Sequence, residues 1–306
     1  MLKAASCALE GITILALLCA AFIRVKTEVA SFVPTPAHPW IDEARGGDGP
    51  VEKQESIRRT FPVAARVIEV QNVFGTIEVE GRDGPGIQMD ADKWIHAESN
   101  QTLDRAEREA TLDIEQNPGL LRIAAKHPSG CALPDCWRFE DRSYRVELNV
   151  RLAVPHDSDL TLKTVDGGDL RVRNVRGTFS LSNVNGAVAM DRVSGSGAVR
   201  TVNGPIKVSF RENPRNDSQF ASVNGSVDLY FAKNLSADFR CKTFSGSVYS
   251  DFPLFAKPVG APTEPFRGAA LSFPASSFAA GRAGSGGPLI RVDSLHGDVR
   301  IWVKHD

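Results

Sequence analysis

The chain has 306 residues, enough for one large domain or two ordinary ones. Lys and Arg number 36 and Asp and Glu number 37, so the net charge of -1 argues against a protein held on nucleic acid mainly by phosphate contacts. Five cysteines are too few for a disulfide scaffold of this size, and 42% hydrophobic residues with 24% charged residues is ordinary globular usage.

The N-terminus begins with an apolar leader. Residues 11–23 (GITILALLCAAFI) carry no charge, and this length fits the apolar core of a signal peptide better than a membrane span, which needs about 20 residues. Cleavage after Ala21 follows small residues, whereas Arg24 and Lys26 behind it suit the flank of an anchor. We therefore predict that residues 1–23 are a signal peptide or an N-terminal membrane anchor.

Residues 24–62 have the composition of a linker. They carry five prolines, a glycine-rich run at 46–49 and mixed charge at 52–59, and no hydrophobic period persists. A segment that buries little apolar area stays extended or mobile, so we predict a flexible tether. A leader, a tether and then a domain at 63–306 is the order of an exported protein. We expect an extracytoplasmic location, either membrane-anchored or secreted and periplasmic.

An internal repeat is the strongest signal in the chain. Glycines recur every nine residues at Gly168, Gly177, Gly186, Gly195 and Gly204. The third and fifth positions of each unit are mostly apolar and the second, fourth and sixth mostly polar or small, which is the alternation of half-buried strands. The same turn motif recurs outside this run at Gly75, Gly225, Gly246 and Gly297.

Two architectures satisfy this repeat. Pairs such as Asn203-Gly204 suit backbone with positive φ and can be hairpin turns of an antiparallel β-meander or sandwich. They can equally be corners of a solenoid whose coils stack as parallel strands. In the first four units the eighth position is valine, at Val175, Val184, Val193 and Val202, as expected if corners also point a side chain into the core. The wider spacing of 21 residues after Gly204 suits coils that gain an extra side or loop.

We therefore predict an all-β fold, a β-solenoid or right-handed β-helix-like stack of short repeats, with the antiparallel meander or sandwich as the alternative. The fifth-position residues should be buried in one stack: Val172, Leu181, Met190, Val199 and Val208. A Gly/Ala/Pro/Ser-rich insertion at about 256–288 precedes a last copy of the motif at 289–303. We expect this copy to return and dock on the stack, with Leu295 among its core-facing residues.

Three turns carry a resemblance to a known family, together with the preceding strand-like segment 144–160. They are 164–172 (TVDGGDLRV), 182–188 (SNVNGAV) and 200–208 (RTVNGPIKV). They resemble the bacterial "putative adhesin" domain family, which is related in style to auto-transporter adhesin heads. The resemblance covers roughly 63–306 and implies a β-solenoid-like fold on exported or membrane-tethered proteins, without an established activity. The chain departs from it in the insertion and in the polar segment 97–110, which can form a short helix or a charged loop.

The sequence predicts no catalytic, cofactor-binding or metal-binding residues. Cys131 and Cys136 flank a short loop that can close as a disulfide in an oxidising compartment. Zinc would need two more ligands, and His127 is the near candidate. A calcium-binding solenoid would need a column of carboxylates, which the nine-residue units lack.

One charged cluster is the best enzymatic candidate, because parallel β-helix enzymes place acids on an outer face. It comprises Asp166, Asp169, Arg171, Arg173 and Arg176. We favour the simpler interpretation, a solvated face with cross-strand charge pairs.

These patterns predict an exported, cell-envelope-tethered module with a non-catalytic, adhesin-like or structural role. Its expected partners are a protein or glycan of the envelope, and the membrane through the N-terminal segment; nucleic acid is not expected. The alternatives are a polysaccharide-acting β-helix enzyme and the ectodomain of an envelope regulatory system.

Overall fold

A computed structural model describes residues 49–62, 65–126, 143–256 and 277–304. The described residues form strands and one helix, in this chain order: β1 (Val51–Phe61), β2 (Val67–Gln71), β3 (Ile77–Arg82), β4 (Ile87–Ala97), α1 (Asn100–Glu109), β5 (Thr111–Asn117), β6 (Leu120–Lys126), β7 (Tyr144–Pro155), β8 (Asp159–Lys163), β9 (Leu170–Arg173), β10 (Phe179–Ser182), β11 (Val188–Val193), β12 (Gly197–Asn203), β13 (Ile206–Phe210), β14 (Ser218–Asn224), β15 (Val227–Phe231), β16 (Ala237–Ser245), β17 (Val248–Ser250), β18 (Phe255–Ala256), β19 (Ser277–Ala283), β20 (Leu289–His296) and β21 (Val299–Val303).

The strands form two sheets that share one core. Sheet A has the order β1-β4-β7-β3-β9-β11-β13-β15-β21-β17, and sheet B has the order β18-β19-β16-β20-β14-β12-β10-β8-β2-β6-β5. From β3 to β17 in sheet A, and from β16 to β6 in sheet B, neighbouring strands are parallel. Antiparallel pairs lie toward the two ends. The predicted β-solenoid is confirmed, because a meander would make the repeat strands antiparallel.

Each coil of the solenoid consists of two nine-residue units. The chain crosses from a strand of sheet B to one of sheet A and back, as in β8–β9, β10–β11 and β12–β13, so equivalent glycines are 18 residues apart at Gly168, Gly186 and Gly204. The next spacing, to Gly225, is 21 residues, because loop 211–217 lengthens the corner between β13 and β14. The extra residues therefore form a loop without disturbing strand register.

The predicted core residues are all buried, with exposed fractions from 0% to 3%. Val172, Met190 and Val208 are in register across sheet A. Leu181 and Val199 are in register across sheet B. They form two facing columns rather than the one expected stack, because successive nine-residue units alternate between the sheets.

The C-terminal repeat docks on the stack, but in an unexpected place. Strand β20 lies between β14 and β16, and β21 lies between β15 and β17. The last segment of the chain thus fills a gap between two coils formed by earlier residues, instead of covering an open edge. Its residues Ile290, Val292, Val299 and Ile301 are fully buried, whereas Leu295 is 40% exposed at the corner and does not face the core.

At the opposite end of the solenoid, part of the predicted tether forms a strand. Residues 51–61 form β1, which pairs antiparallel with β4 along all eleven of its residues. This pairing satisfies backbone groups of both strands, so ordered structure begins by Val51 rather than at 63. The polar segment 97–110 forms helix α1, and the Ser99 hydroxyl caps it by accepting a hydrogen bond from the Thr102 N–H.

Several predictions fall outside the described residues. They concern the leader 1–23, residues 24–48 of the tether, the disulfide between Cys131 and Cys136, and the insertion over 257–276. In the part of the chain that the structure does describe, no helix has the length and apolar character needed to cross a membrane.

Candidate functional site

The turn glycines lie in two columns along the corners of the solenoid. In spatial order the first column is Gly75, Gly168, Gly186, Gly204, Gly225, Gly297 and Gly246, and the opposite corner holds Gly177 and Gly195. A Cβ added at any of the nine would lie closer than 3.0 Å to a backbone carbonyl group of the neighbouring coil. These glycines permit close approach of the coils, so their role is structural.

A buried polar column accompanies the first glycine column. Each of its side chains donates a hydrogen bond of 2.7–3.2 Å to a backbone carbonyl of the neighbouring coil. The donors are Asn72, Thr164, Asn183, Thr201, Ser222, Ser294 and Thr243, all at most 6% exposed. Corner carbonyls have left the strand ladder, and these donors satisfy them inside the core.

The polar column corrects the expectation for the eighth-position valines. Val175 and Val193, at the second corner, are buried. Val184 and Val202, at the first corner, are only half-buried, because Asn183 and Thr201 occupy the inward position. A polar residue three positions before most of these turn glycines is the sequence signal that marks the polar column.

The outer face of sheet A carries a row of alternating charges. Arg58, Asp90, Arg151, Glu78 and Arg171 stand opposite one another across β1, β4, β7, β3 and β9. The Arg58 guanidinium is 2.6 Å from Asp90 and the Arg171 guanidinium is 2.7 Å from Glu78. The hydrogen bond to Glu78 raises the pKa of Arg171 above its ordinary value. Each exposed pair contributes little to stability, about 0.2–1 kcal/mol.

The predicted charged cluster is not brought together. Asp169 lies 2.9 Å from Arg171, within the charge row. Asp166 sits at the first corner, where its carboxylate accepts the Gly167 N–H. Arg176, at the second corner, pairs with Asp157 at 3.1 Å. Arg173 stands opposite Glu80 and Asp191 in register. This arrangement is that of a solvated, paired face.

The cysteines and potential metal ligands show no reactive arrangement where the structure describes them. Cys241 is fully buried in β16, as expected of a small apolar residue. Burial raises the pKa of its thiol to about 12, so it stays protonated and unreactive. Within the described ranges, no three His, Cys, Asp or Glu residues are grouped so as to hold a metal ion.

An aromatic patch lies further along the outer face of sheet A. We define it by six side chains: Lys207, Asp228, Tyr230, Tyr249, Arg300 and Trp302. The Tyr230 and Trp302 rings stack with centroids 6.5 Å apart, and the Lys207 ammonium lies 5.4 Å from the Tyr230 centroid. The Tyr249 residue is 50% exposed beside Arg300.

The polar members of the aromatic patch hold its rings and charges in place. The Trp302 indole N–H donates to Asp228 at 3.2 Å, and the Arg300 guanidinium reaches the same carboxylate at 3.4 Å. Arg300 also donates to Asp298 at 2.7 Å. Because Trp, Tyr and Arg are the residues most enriched at the centres of binding interfaces, this patch is the strongest candidate for a binding site.

Comparison with protein families agrees with this solenoid. Residues 147–260 match the family model Toastrack DUF4097. This Toastrack segment contains the nine-residue glycine repeat and all turn glycines of the two columns except Gly75 and Gly297. The match confirms the resemblance to an uncharacterised adhesin-type family that was inferred from the turns.

Solved structures give a weaker likeness. A "putative cell adhesion protein" from Clostridium sporogenes shares 11% identity over 83% of this chain and 100% of its own, with a TM-score of 0.35. A "putative adhesin" from Bacteroides fragilis shares 11% identity over 82% and 97%, with a TM-score of 0.35. A "putative lipid binding protein" from Parabacteroides distasonis shares 12% identity over 83% and 98%, with a TM-score of 0.27. No curated protein matches the chain.

Proposed function

We propose that the chain is a non-catalytic binding module of the cell envelope, exported through its leader, that recognises a protein or glycan with the aromatic patch. The observation that carries the proposal is the outward placement of Tyr230, Tyr249 and Trp302. Tyr230 and Trp302 are half-buried and Tyr249 is exposed on the outer face of sheet A, where all three rings lie beside charged groups.

The charge row favours binding over catalysis. A glycan-cleaving enzyme needs two carboxylates facing one substrate, one of them as general acid. Along the row, Glu78 lies between Arg151 and Arg171, and Asp90 between Arg58 and Arg151. Each of these acids stands between two cations, which suits electrostatic complementarity with a partner.

Binding to isolated envelope material tests the proposal. The full chain should bind purified envelope polysaccharide or envelope protein fractions in a saturable manner. Tyr249→Ala combined with Trp302→Ala should weaken this binding at least tenfold. Phe255→Ala is the matched control, because Phe255 is also aromatic and is 67% exposed but lies outside the patch. Equal binding by the double variant and the control would refute the assignment of the patch.

The location is tested separately. An alkaline-phosphatase fusion placed after residue 48 should be active, because the leader would carry the enzyme out of the cytoplasm. The fusion point precedes β1, so the reporter does not depend on folding of the solenoid. An inactive fusion together with an active cytoplasmic reporter at the same position would contradict export.

A further inference from the structure

A cavity lies at the end of the core opposite the C-terminal strands. Its volume is about 300 Å³, and it opens between β1 and β5, the outermost strands of the two sheets at that end. Its apolar lining includes Ile57, Val73, Leu112, Ile114, Ala125 and Leu148. A cavity of this size is at the lower end of the range for small-molecule sites, and it is separate from the aromatic patch.

One charged side chain interrupts the apolar row that β4 directs inward. Ile87, Met89, Ala91 and Ile95 alternate along this strand as buried core residues, and Lys93 occupies the position between the last two. Lys93 is 8% exposed and lines the cavity. Burial of an ammonium group is costly unless it is paired and hydrogen-bonded.

The pairing of Lys93 within the described residues is incomplete. Its ammonium donates to the Ala110 carbonyl at 2.7 Å, and the nearest carboxylate, that of Glu55, is 4.0 Å away and mostly exposed. An ammonium has three donors and no acceptor. A second acceptor that entered the cavity would therefore take one of its remaining donors in a poorly solvated place, where a charge-assisted bond is strong.

The charges at the mouth limit the kind of anion. Glu55 and Glu107 line the cavity beside Lys93, and Lys126 and Arg59 stand at its rim. Lys126 is already paired with Asp113 at 3.0 Å. Lys93 is the buried cation of the cavity, and the nearby Glu55 and Glu107 carboxylates repel a phosphate with two negative charges more strongly than a singly charged group.

We propose that this cavity binds a medium-chain aliphatic carboxylic acid, with its carboxylate on Lys93 and its chain against the apolar walls. The inference does not depend on the proposed function, because the two sites share no residue. Each methylene that the walls cover should tighten binding about fourfold, until the chain outgrows the cavity.

Calorimetric titration of the full chain with octanoate, decanoate and dodecanoate tests the inference. We expect saturable binding that strengthens with chain length, while decanol and dodecyl phosphate bind at least tenfold more weakly than the carboxylates of equal length. Lys93→Met should cost at least tenfold in affinity for decanoate. Lys163→Met is the matched control, because Lys163 is an exposed lysine in β8 outside the cavity and its loss should leave affinity nearly unchanged.

A second variant protects the test against misfolding of the Lys93 variant. Ala125→Leu keeps Lys93 and fills the apolar volume, so it should abolish decanoate binding while the circular dichroism of the strands is retained. Absence of saturable decanoate binding to the unchanged chain would overturn the proposal. So would decanol or dodecyl phosphate binding as tightly as the carboxylate, or Ala125→Leu binding as well as the unchanged chain. Loss of envelope binding by the aromatic-patch variants would leave these titrations unaffected.

Discussion

The glycine column makes a sharp prediction at Gly204, in the middle of the stack. A methyl group added there would lie closer than 3.0 Å to both the oxygen and the carbon of the Gly186 carbonyl. These atoms belong to the backbone, so no side-chain movement can relieve the clash. Gly204→Ala should therefore force the two coils apart locally. Gly86→Ala is the matched control, since its Cβ would meet only the Phe61 carbonyl, at 3.7 Å.

The size of the effect follows from the hydrogen bonds that hold these coils together. The Gly204 N–H donates to the backbone carbonyl of Asn224 at 3.0 Å, and the Gly186 N–H donates to the backbone carbonyl of Asn203 at 2.9 Å. The Thr201 hydroxyl donates to the Gly186 carbonyl at 3.1 Å. Overpacking typically costs about 1–3 kcal/mol, and each weakened hydrogen bond adds about 0.5–1.5 kcal/mol. We expect Gly204→Ala to lower the free energy of unfolding by about 3–5 kcal/mol, and Gly86→Ala to change it by about 0.5 kcal/mol or less.

Urea unfolding of the full chain, followed by circular dichroism, measures both variants. The urea concentration at the unfolding midpoint should fall strongly for Gly204→Ala and hardly at all for Gly86→Ala. The dependence of the unfolding free energy on urea concentration should be similar for both variants. Hydrogen exchange should locate the loss at the corner that contains Asn203 and Asn224. If the two alanine variants unfold at the same urea concentration, close approach of the coils does not explain the glycine column.

Three further perturbations test other parts of the fold. Thr201→Val keeps the side-chain shape but removes a buried donor, so urea unfolding should show a loss of about 1–2 kcal/mol; no loss would mean that the polar column is not stabilising. Arg192 has a φ of 49°, so Arg192→Asn should gain about 0.5–1 kcal/mol, and a lowered melting temperature would contradict this. Partial burial raises the pKa of Asp293 despite Arg291 and Lys242 nearby. The stability linked to a raised carboxyl pKa is present in acid and lost as pH rises through the folded value, so Asp293→Asn should stabilise the fold at neutral pH and not in acid.

The architecture was predictable because its signals are local. Val172, Met190 and Val208 recur at an 18-residue interval with glycines in fixed register, and alternation along each strand assigns them to the core. Strand β1 was missed for the converse reason. Residues 51–56 contain three charged residues among six and give no apolar alternation, so their strand conformation depends on pairing with β4.

The buried polar column shows where hydropathy misleads. At the first corner, Asn183 precedes Val184 and Thr201 precedes Val202. Hydropathy assigns each valine to the core, yet the carbonyl of Gly168 or Gly186 needs a donor that valine lacks. A lost buried hydrogen bond costs about 1–3 kcal/mol. The valines remain half-covered, so little burial free energy is lost when the polar residue takes the inward position. The hydrogen bond to the carbonyl therefore decides which residue faces the core.

The aromatic patch could not be predicted from neighbouring residues. Tyr230 and Trp302 are 72 positions apart, and they stand side by side only because β21 pairs with β15. The available signal was an aromatic residue at an outward strand position, which marks Tyr230, Tyr249 and Trp302 separately. That signal does not say that these residues meet, since their juxtaposition follows from strand order.

The repeat motif does not predict which strands are neighbours at the end of the solenoid that contains β20 and β21. Ser222, Thr243 and Ser294 all offer the same kind of donor at the same corner position, so each of their strands could occupy the same place. Short connections favour sequential neighbours, which would place β16 directly beside β14. In the structure, β20 lies between β14 and β16, and β21 lies between β15 and β17. Contacts between distant residues hold this insertion, such as the hydrogen bond that the Leu289 N–H donates to the Asp217 carboxylate. Contacts of this separation slow folding, since the entropy cost of loop closure must be offset first. The stacked pair Tyr230–Trp302 therefore depends on the final insertion, and a chain ending before β20 would lack it even if its other coils folded.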